Sequence, residues 1–273
     1  MSVMSVVIIL EQDISSILTL PWEPILGGLF VGILIGLTGM GGGSLVTPFL
    51  IFMLRIDPLT AVGTDIALNA LTKLAGAASH AGLGNTDSRT VRILLSGSIP
   101  GALIGLLLLR FLPSFGVQNV DIAIKHGLGV VLLVAAFAGF SPSLCGRMCE
   151  SKVLEDSARR DLLVRIVSFF VGAFVSVTSV GSGSLLVPMM MVAYAFPVTK
   201  VVGIDVVHGA ILTSIAAAGH MIAATVDYAL LSALLLGSIP GVVIGSRLSV
   251  SFPKRALQYV LGSLLAVSGI KMF

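Results

Sequence analysis

The sequence predicts an all-α polytopic membrane protein with two inverted-topology repeats, each with a broken or re-entrant helix pair and three transmembrane helices. The composition, an internal repeat and the distribution of positive charge support this fold class. Of the 273 residues, 56% are hydrophobic and only 11% are charged, and the mean hydropathy is +1.08. A soluble domain cannot bury that much apolar surface, so a multi-pass protein of the cell membrane is expected, with the lipid bilayer as its main solvent. The net charge of +3 does not indicate a nucleic-acid partner.

The internal repeat has a constant offset of 140 residues. "TGMGGGSLVTP" at 38–48 matches "TSVGSGSLLVP" at 178–188, and "GSIPG" occurs at 97–101 and again at 237–241. From residue 38 to residue 105, 23 of 68 aligned positions are identical without a gap. Chance similarity between apolar segments would not keep one register over this length, so the chain contains two copies of one unit.

The repeat and the composition together predict four regions. They are an N-terminal lead-in at 1–24, transmembrane repeat 1 at 25–140, a charged cytoplasmic linker at 141–164 and transmembrane repeat 2 at 165–273. The lead-in lacks a basic n-region, so no cleaved signal peptide is expected. The linker contains Cys145 and Cys149, for which unpaired thiols are favoured over a metal site because no other Cys or His lies nearby in the chain.

Each repeat contains a broken apolar segment followed by three unbroken ones. The predicted segments are 25–54 (broken), 58–82, 91–111 and 123–140, then 165–195 (broken), 198–224, 228–248 and 256–272. The unbroken segments are long enough to cross a hydrocarbon layer of ~30 Å at 1.5 Å per residue.

Positive charge distinguishes two paths for the broken segments. Apart from Lys73, which lies within a span, 15 Lys and Arg residues are divided 8 and 7 between the two sides if each broken segment crosses once, and 11 and 4 if each one enters and returns. The positive-inside rule favours the second path. Each repeat then crosses an odd number of times, so the repeats point in opposite directions, as is typical of secondary transporters. Five short full helices per repeat are the alternative.

The glycine-rich breaks predict an anion site. A half-helix that starts inside the membrane presents free N–H groups and the positive end of its dipole. Serine is a good N-cap, so new half-helices are expected to begin at Ser44 and Ser184. Close packing through small residues is the alternative. The candidate substrate-binding residues at the breaks are Gly41, Gly42, Gly43, Ser44, Gly181, Ser182, Gly183 and Ser184.

Polar side chains occupy one face of the span that follows the first break. Asp65, Asn69, Lys73 and His80 share this face. Ionisable groups inside membranes usually face a cavity. Asn69 and Lys73 are therefore candidate substrate ligands, with Lys73 as the counter-charge of an anion; Lys73 could instead neutralise Asp65.

The second repeat has comparable polar groups at Asp205, His208 and His220. The candidates for proton coupling are Asp65, Asp205, His80 and His220. Both aspartates could instead cap helices after the preceding Val-Gly pairs.

The "GSIPG" motifs predict helix contacts. With one further glycine, each motif places a glycine at every fourth residue, so one helix face has no side chains and a second backbone can approach closely. Packing against the broken segments is favoured over direct contact with substrate.

Three stretches, "GLTGMGGGSLVTPFL", "AVGTDIALN" and "SVGSGSLLVPMM", resemble the sulfite exporter TauE/SafE family, and the resemblance covers about 25–273. It implies a permease for small sulfur-containing anions such as sulfite, thiosulfate or organosulfonates. Family members commonly have Ser after the "GT" pair, where this chain has Asp65. The sequence contains no HExxH, no GxSxG and no cofactor fingerprint, so neither an enzyme nor a bound cofactor or metal is expected. A secondary transporter that works by alternating access is expected, with an anion channel as the alternative.

Overall fold

A computed structural model describes residues 22–38, 43–82, 86–111, 120–140, 157–194, 196, 198–248 and 254–273. These residues are almost entirely helical, and ten helices occur within them. The first repeat contains α1 (Trp22–Thr38), α2 (Gly43–Phe52), α3 (Pro58–Gly82), α4 (Ser88–Phe111) and α5 (Val120–Phe140). The second contains α6 (Ser157–Thr178), α7 (Ser182–Tyr194), α8 (Val198–Ile222), α9 (Tyr228–Leu248) and α10 (Lys254–Lys271).

The predicted spans agree closely with the helices. Five described helices, α4, α5, α6, α8 and α9, are long and apolar enough to cross a membrane, so the chain is a polytopic membrane protein. α6 begins at Ser157, before residue 165, where the sequence predicts the second repeat to begin. The first turn of α6 includes two arginines. Such charged residues allow a helix to extend beyond the bilayer into water.

Aspartates cap three of the long helices. Oδ2 of Asp57 accepts the N–H of Thr60 at 3.0 Å, Oδ2 of Asp87 accepts that of Thr90 at 2.9 Å, and Oδ1 of Asp227 accepts that of Leu230 at 3.0 Å. The alternative in which Asp65 and Asp205 cap helices is wrong, because both lie inside continuous helices. The Val-Gly pairs that precede them do not interrupt the helix, since a single glycine costs a helix only about 1 kcal/mol.

Replacing Asp87 with alanine is expected to lower the free energy of unfolding by about 1 kcal/mol at pH 7. Hydrogen bonds from the hydroxyl and N–H of Thr90 hold the pKa of Asp87 below its ordinary value, aided by the charges of Lys200 and Arg89. The carboxylate therefore stabilises the fold above the unfolded-state pKa, and this contribution is lost as the pH falls through the lower folded-state pKa. Unfolding in detergent at pH 7 and at about pH 3 measures the difference. Ser88→Ala, at the exposed next residue, is the control; equal losses for both variants would contradict the cap.

The two repeats are interleaved. α1 of the first repeat packs against α9 of the second, and α6 of the second packs in the same way against α4 of the first. A carbon added at Gly32 would lie 2.5 Å from the carbonyl oxygen of Ser238, and one added at Gly105 would lie 2.7 Å from that of Ala173. The "GSIPG" helices thus pack by backbone against the first limb of the other repeat's broken segment, which confirms the predicted packing role.

Equivalent helices of the two repeats meet in opposite directions. Gly63, near the start of α3, faces Thr225, just beyond the end of α8, whereas Gly76, near the end of α3, faces Val206. The chain directions of α3 and α8 are therefore opposed.

The pair α5 and α10 has the same arrangement. The ring of His126 stacks on Phe273 at 5.4 Å between centroids. Further along α5, Leu133 faces Gly269, which precedes Phe273 in the chain. α5 and α10 are therefore antiparallel as well.

The first broken segment turns back on itself. A carbon added at Gly27, in α1, would lie 2.5 Å from Cε1 of Phe49, in α2. In one straight helix these residues would be about 33 Å apart at 1.5 Å per residue. α1 and α2 are therefore two limbs that lie side by side, as the re-entrant prediction requires.

Candidate functional site

The second break lies between α6 and α7. Ser179 and Gly181 have φ angles of 63° and 128°, and the value at Gly181 is readily adopted only by glycine. The carbonyl oxygen of Gly181 accepts the N–H of Leu185 at 3.1 Å, which starts α7. The helix therefore begins at Ser182, so the prediction that it begins at Ser184 is wrong by two residues. Ser184 lies inside the first turn, and its buried Oγ has no hydrogen-bond partner.

The structure describes only part of the first break. Gly41 and Gly42 lie outside the described residues, and α2 begins at Gly43. The predicted start of this helix at Ser44 is therefore one residue too late. Ser44 is the second residue of α2, and it is buried.

The polar face of α3 points at the second break. The side-chain amide of Asn69 donates to Oγ of Ser179 at 3.3 Å, and Nζ of Lys73 donates to Oγ of Ser182 at 2.9 Å. Lys73 is only 8% exposed. The predicted ligands on α3 and the predicted serine at the start of α7 therefore meet, although more than 100 residues separate them in the chain.

Lys73 forms an ion pair with Asp205. Nζ lies 3.3 Å from Oδ2 of Asp205, which belongs to α8. The alternative that Lys73 neutralises Asp65 is therefore wrong. Gly209 makes room for the lysine, since a carbon added there would collide with Nζ and lie 2.8 Å from Cδ.

Asp65 has partners within its own repeat. It accepts hydrogen bonds from the hydroxyl of Thr47, in α2, and from the amide of Asn69 at 2.7 Å. Both carboxylate oxygens are thus used, and the side chain is completely buried. Asp65 ties α2 to α3 on the same face of α3 that carries Lys73.

The histidines occupy different places. Nε2 of His208 lies 2.8 Å from Oγ of Ser98, and its buried Nδ1 has no hydrogen-bond partner. Nε2 of His220 lies 2.8 Å from the carbonyl oxygen of Ser176, so it carries the hydrogen, and Nδ1 lies 2.8 Å from the hydroxyl of Thr225. His220 therefore joins the ends of α6 and α8. The side chain of His80 lies outside the described residues.

His220 also borders a cavity of about 590 Å³ between the C-terminal ends of α4 and α8. Five of its eleven lining residues are leucines, and Lys73 and Asp205 are not among them. His220 is thus separate from the ion pair of Lys73 and Asp205. Among the described residues, no group of three or more His, Cys, Asp or Glu side chains could hold a metal ion; Cys145 and Cys149 lie outside them.

Four further polar residues take part in the hydrogen bonds described above but were not predicted as ligands: Thr47, Ser98, Ser179 and His208. The intramembrane position of His208 is visible in the sequence, but its partner Ser98 is 110 residues away. Thr47 belongs to the glycine-rich motif, yet Val187 stands at the matching position of the second repeat. The repeat therefore gives no signal for Thr47 as a polar site residue.

Comparisons with known proteins identify the family. The family described as "Sulfite exporter TauE/SafE" matches residues 25–272. The "Probable membrane transporter protein YjnA" of Bacillus subtilis is 40% identical over 91% of this chain and 98% of its own length. The "Probable membrane transporter protein MJ0441" of Methanocaldococcus jannaschii is 26% identical over 97% of this chain and 99% of its own length.

A second Bacillus subtilis relative, the "Probable membrane transporter protein YdhB", is 23% identical over 88% of this chain and 95% of its own length. No solved structure gives a significant match. The helices, the family match and the full-length relatives agree on a multi-pass membrane transporter. The chain belongs to the sulfite exporter TauE/SafE family.

Proposed function

We propose that the protein is a secondary transporter that carries a small anion, a sulfur-containing one such as sulfite, thiosulfate or an organosulfonate, by alternating access. The observation that carries this proposal is Lys73, a buried cation at the start of a half-helix between the two repeats. Ionisable residues inside a membrane are costly, and they usually mark the path of a substrate or ion.

The surroundings of Lys73 favour an anion. Its ammonium group lies at Ser182, the first residue of α7, where the free N–H groups and the helix dipole add partial positive charge. The buried hydroxyl of Ser184, two residues further along α7, has no hydrogen-bond partner among the described residues and is a candidate donor to a ligand. A lysine and a helix N-terminus together match the acceptor oxygens of a small oxyanion.

The chain directions support inverted repeats. α3 and α8 are equivalent by the 140-residue offset, as are α5 and α10, and each pair is antiparallel. With α1 and α2 folded back, residues 22 and 273 fall on one side of the membrane, and the start of α6 with Arg159 and Arg160 falls on the other. Such repeats can alternate access by moving against each other around a central site.

The substrate class rests on the family. The matching family is described as a sulfite exporter family, and the relatives are named as membrane transporters without a substrate. A sulfur oxyanion also agrees with the polar groups around Lys73. Asp65, Asp205, His80 and His220 are the candidates for binding a coupled proton.

Flux through purified protein in proteoliposomes tests the proposal. We expect saturable uptake of radiolabelled sulfite, thiosulfate or a sulfonate, and faster uptake when the same anion is present inside the vesicles. An anion channel with the same helix-end site would give flux that neither saturates nor responds to internal substrate. Absence of flux and of binding for every tested anion would refute the proposal.

Removal of the free hydroxyl gives a prediction for the site. Ser184→Ala is expected to raise the KM for the transported anion about tenfold, because one hydrogen bond to a charged group contributes about 1.5 kcal/mol. The control is Ser214→Ala, since Oγ of Ser214 donates to a carbonyl of its own helix at 2.6 Å. Saturation curves in proteoliposomes measure both KM values. An unchanged KM for Ser184→Ala would remove this residue from the site.

A further inference from the structure

The two pseudo-equivalent aspartates have different surroundings. Asp65 and Asp205 match at the 140-residue offset, and both are buried. Asp65 accepts bonds from Thr47 and Asn69. The matching positions in the second repeat are Val187 and Gly209, which carry no hydrogen-bonding side chain. Asp205 therefore lacks both of the partners that Asp65 has.

The missing partners leave one oxygen of Asp205 free. Oδ2 accepts from Lys73, whereas Oδ1 is buried and has no hydrogen-bond partner in the part of the chain that the structure describes. The space left by Gly209 holds the end of the Lys73 side chain. At the position that matches Lys73, the second repeat has Thr213, whose hydroxyl donates to the carbonyl of Gly209 at 2.7 Å. The site thus contains one lysine and two unequal carboxylates, and the lysine is bonded to the less satisfied one.

From this asymmetry we infer that Asp205, rather than Asp65, carries the proton coupled to anion transport, and that its protonation releases Lys73 to the anion. The inference rests on the proposed function. The proton binds the Asp205 carboxylate from the water on one side and leaves to the water on the other. Lys73 exchanges the carboxylate for the anion as its partner.

Charge balance gives the physical reason. The Lys73–Asp205 pair is neutral, and Lys73 with a bound monovalent anion is neutral only when Asp205 is protonated. An anion that entered beside an ionised Asp205 would leave one negative charge buried and unpaired, which is costly at low dielectric. Binding of the anion and of the proton should therefore favour each other, with one proton per monovalent anion.

The groups around Asp205 agree with this assignment. Lys73 reaches it from α3, and His208, bonded to Ser98 of α4, lies three residues further along α8. α7 contributes the hydroxyl of Ser182, also bonded to Lys73. Asp65, on the same helix as Lys73, is turned to Thr47 and Asn69. Asp205 is thus the carboxylate whose proton uptake directly changes the partner of Lys73.

The first test compares Asp205→Asn with Asp65→Asn in proteoliposomes. For the unaltered protein, a gradient of about one pH unit should raise accumulation of a monovalent anion about tenfold, and this accumulation should not depend on membrane potential. Relative to each variant's own exchange at equal pH, Asp205→Asn should lose the response to the gradient, whereas Asp65→Asn should keep that response. Loss of the response in Asp65→Asn together with its retention in Asp205→Asn would overturn the inference.

Two conservative variants cover the case in which the asparagine variants do not fold. Val187→Thr adds a hydroxyl at the position that matches Thr47, where it can donate to the ionised Asp205, so the pH midpoint of sulfonate binding should move to lower pH. Thr47→Val removes the equivalent donor from Asp65 and should leave the midpoint unchanged. A midpoint that moves only in Thr47→Val would assign the proton to Asp65.

These outcomes separate the inference from the proposed function. Anion exchange that no pH gradient affects in the unaltered protein would refute the inference and retain the anion transporter. Absence of exchange for every tested anion would refute the proposed function itself.

Discussion

Replacing Lys73 with methionine is expected to abolish anion uptake and to lower the free energy of unfolding by about 3–5 kcal/mol. The substitution keeps most of the side-chain volume but leaves Asp205, only 6% exposed, without its ionic partner. Unfolding in detergent measures the stability, and proteoliposome flux measures the uptake. Lys271→Met, at an exposed lysine in the last turn of α10, is the control and should change neither.

A double variant separates stability from transport. Lys73→Met combined with Asp205→Asn removes both charges, so most of the lost stability should return, because the penalty comes from a buried unpaired charge. Uptake should stay absent, since the cation that binds the anion is still missing. Normal uptake by either variant would contradict the role of Lys73 in the site.

Gly101→Val is expected to lower the free energy of unfolding by about 3 kcal/mol, because the added carbon would collide with the carbonyl oxygen of Phe169. That atom belongs to the backbone of α6, so it cannot move away as a flexible side chain could. The contact joins the first repeat to the second, so loosening it should also reduce the amount of folded protein recovered from membranes. Denaturant unfolding in detergent and size-exclusion profiles measure these effects.

The matched control for this packing prediction is Gly127→Val. The first atom that an added carbon at Gly127 would meet is Cγ2 of Thr178, at 3.9 Å, an ordinary contact distance. Its effect on the free energy of unfolding should therefore be the smaller of the two. Equal stability of both variants would show that the α4–α6 contact can adjust.

Much of the fold could be predicted because each signal lies within one repeat or one span. The apolar segments predicted α3 and α9 at their observed bounds, since a long apolar run must be helical in lipid. The 140-residue offset identified the equivalent helices, and the charge count predicted the re-entrant first segment that the Gly27–Phe49 contact supports. The start of α7 was harder to predict. It is set by the hydrogen bond from the N–H of Leu185 to the carbonyl oxygen of Gly181 and not by a cap at Ser184.

The sequence by itself determined that this chain is a two-repeat membrane transporter of the TauE/SafE family and that its polar groups concentrate after the first break. Only the tertiary structure decided that Lys73 pairs with Asp205, 132 residues away, and not with Asp65 on its own helix. It also decided that one aspartate is fully bonded and the other is not. The reason is that helical periodicity specifies which face a residue occupies, whereas the packing of α3 against α8 specifies what that face meets.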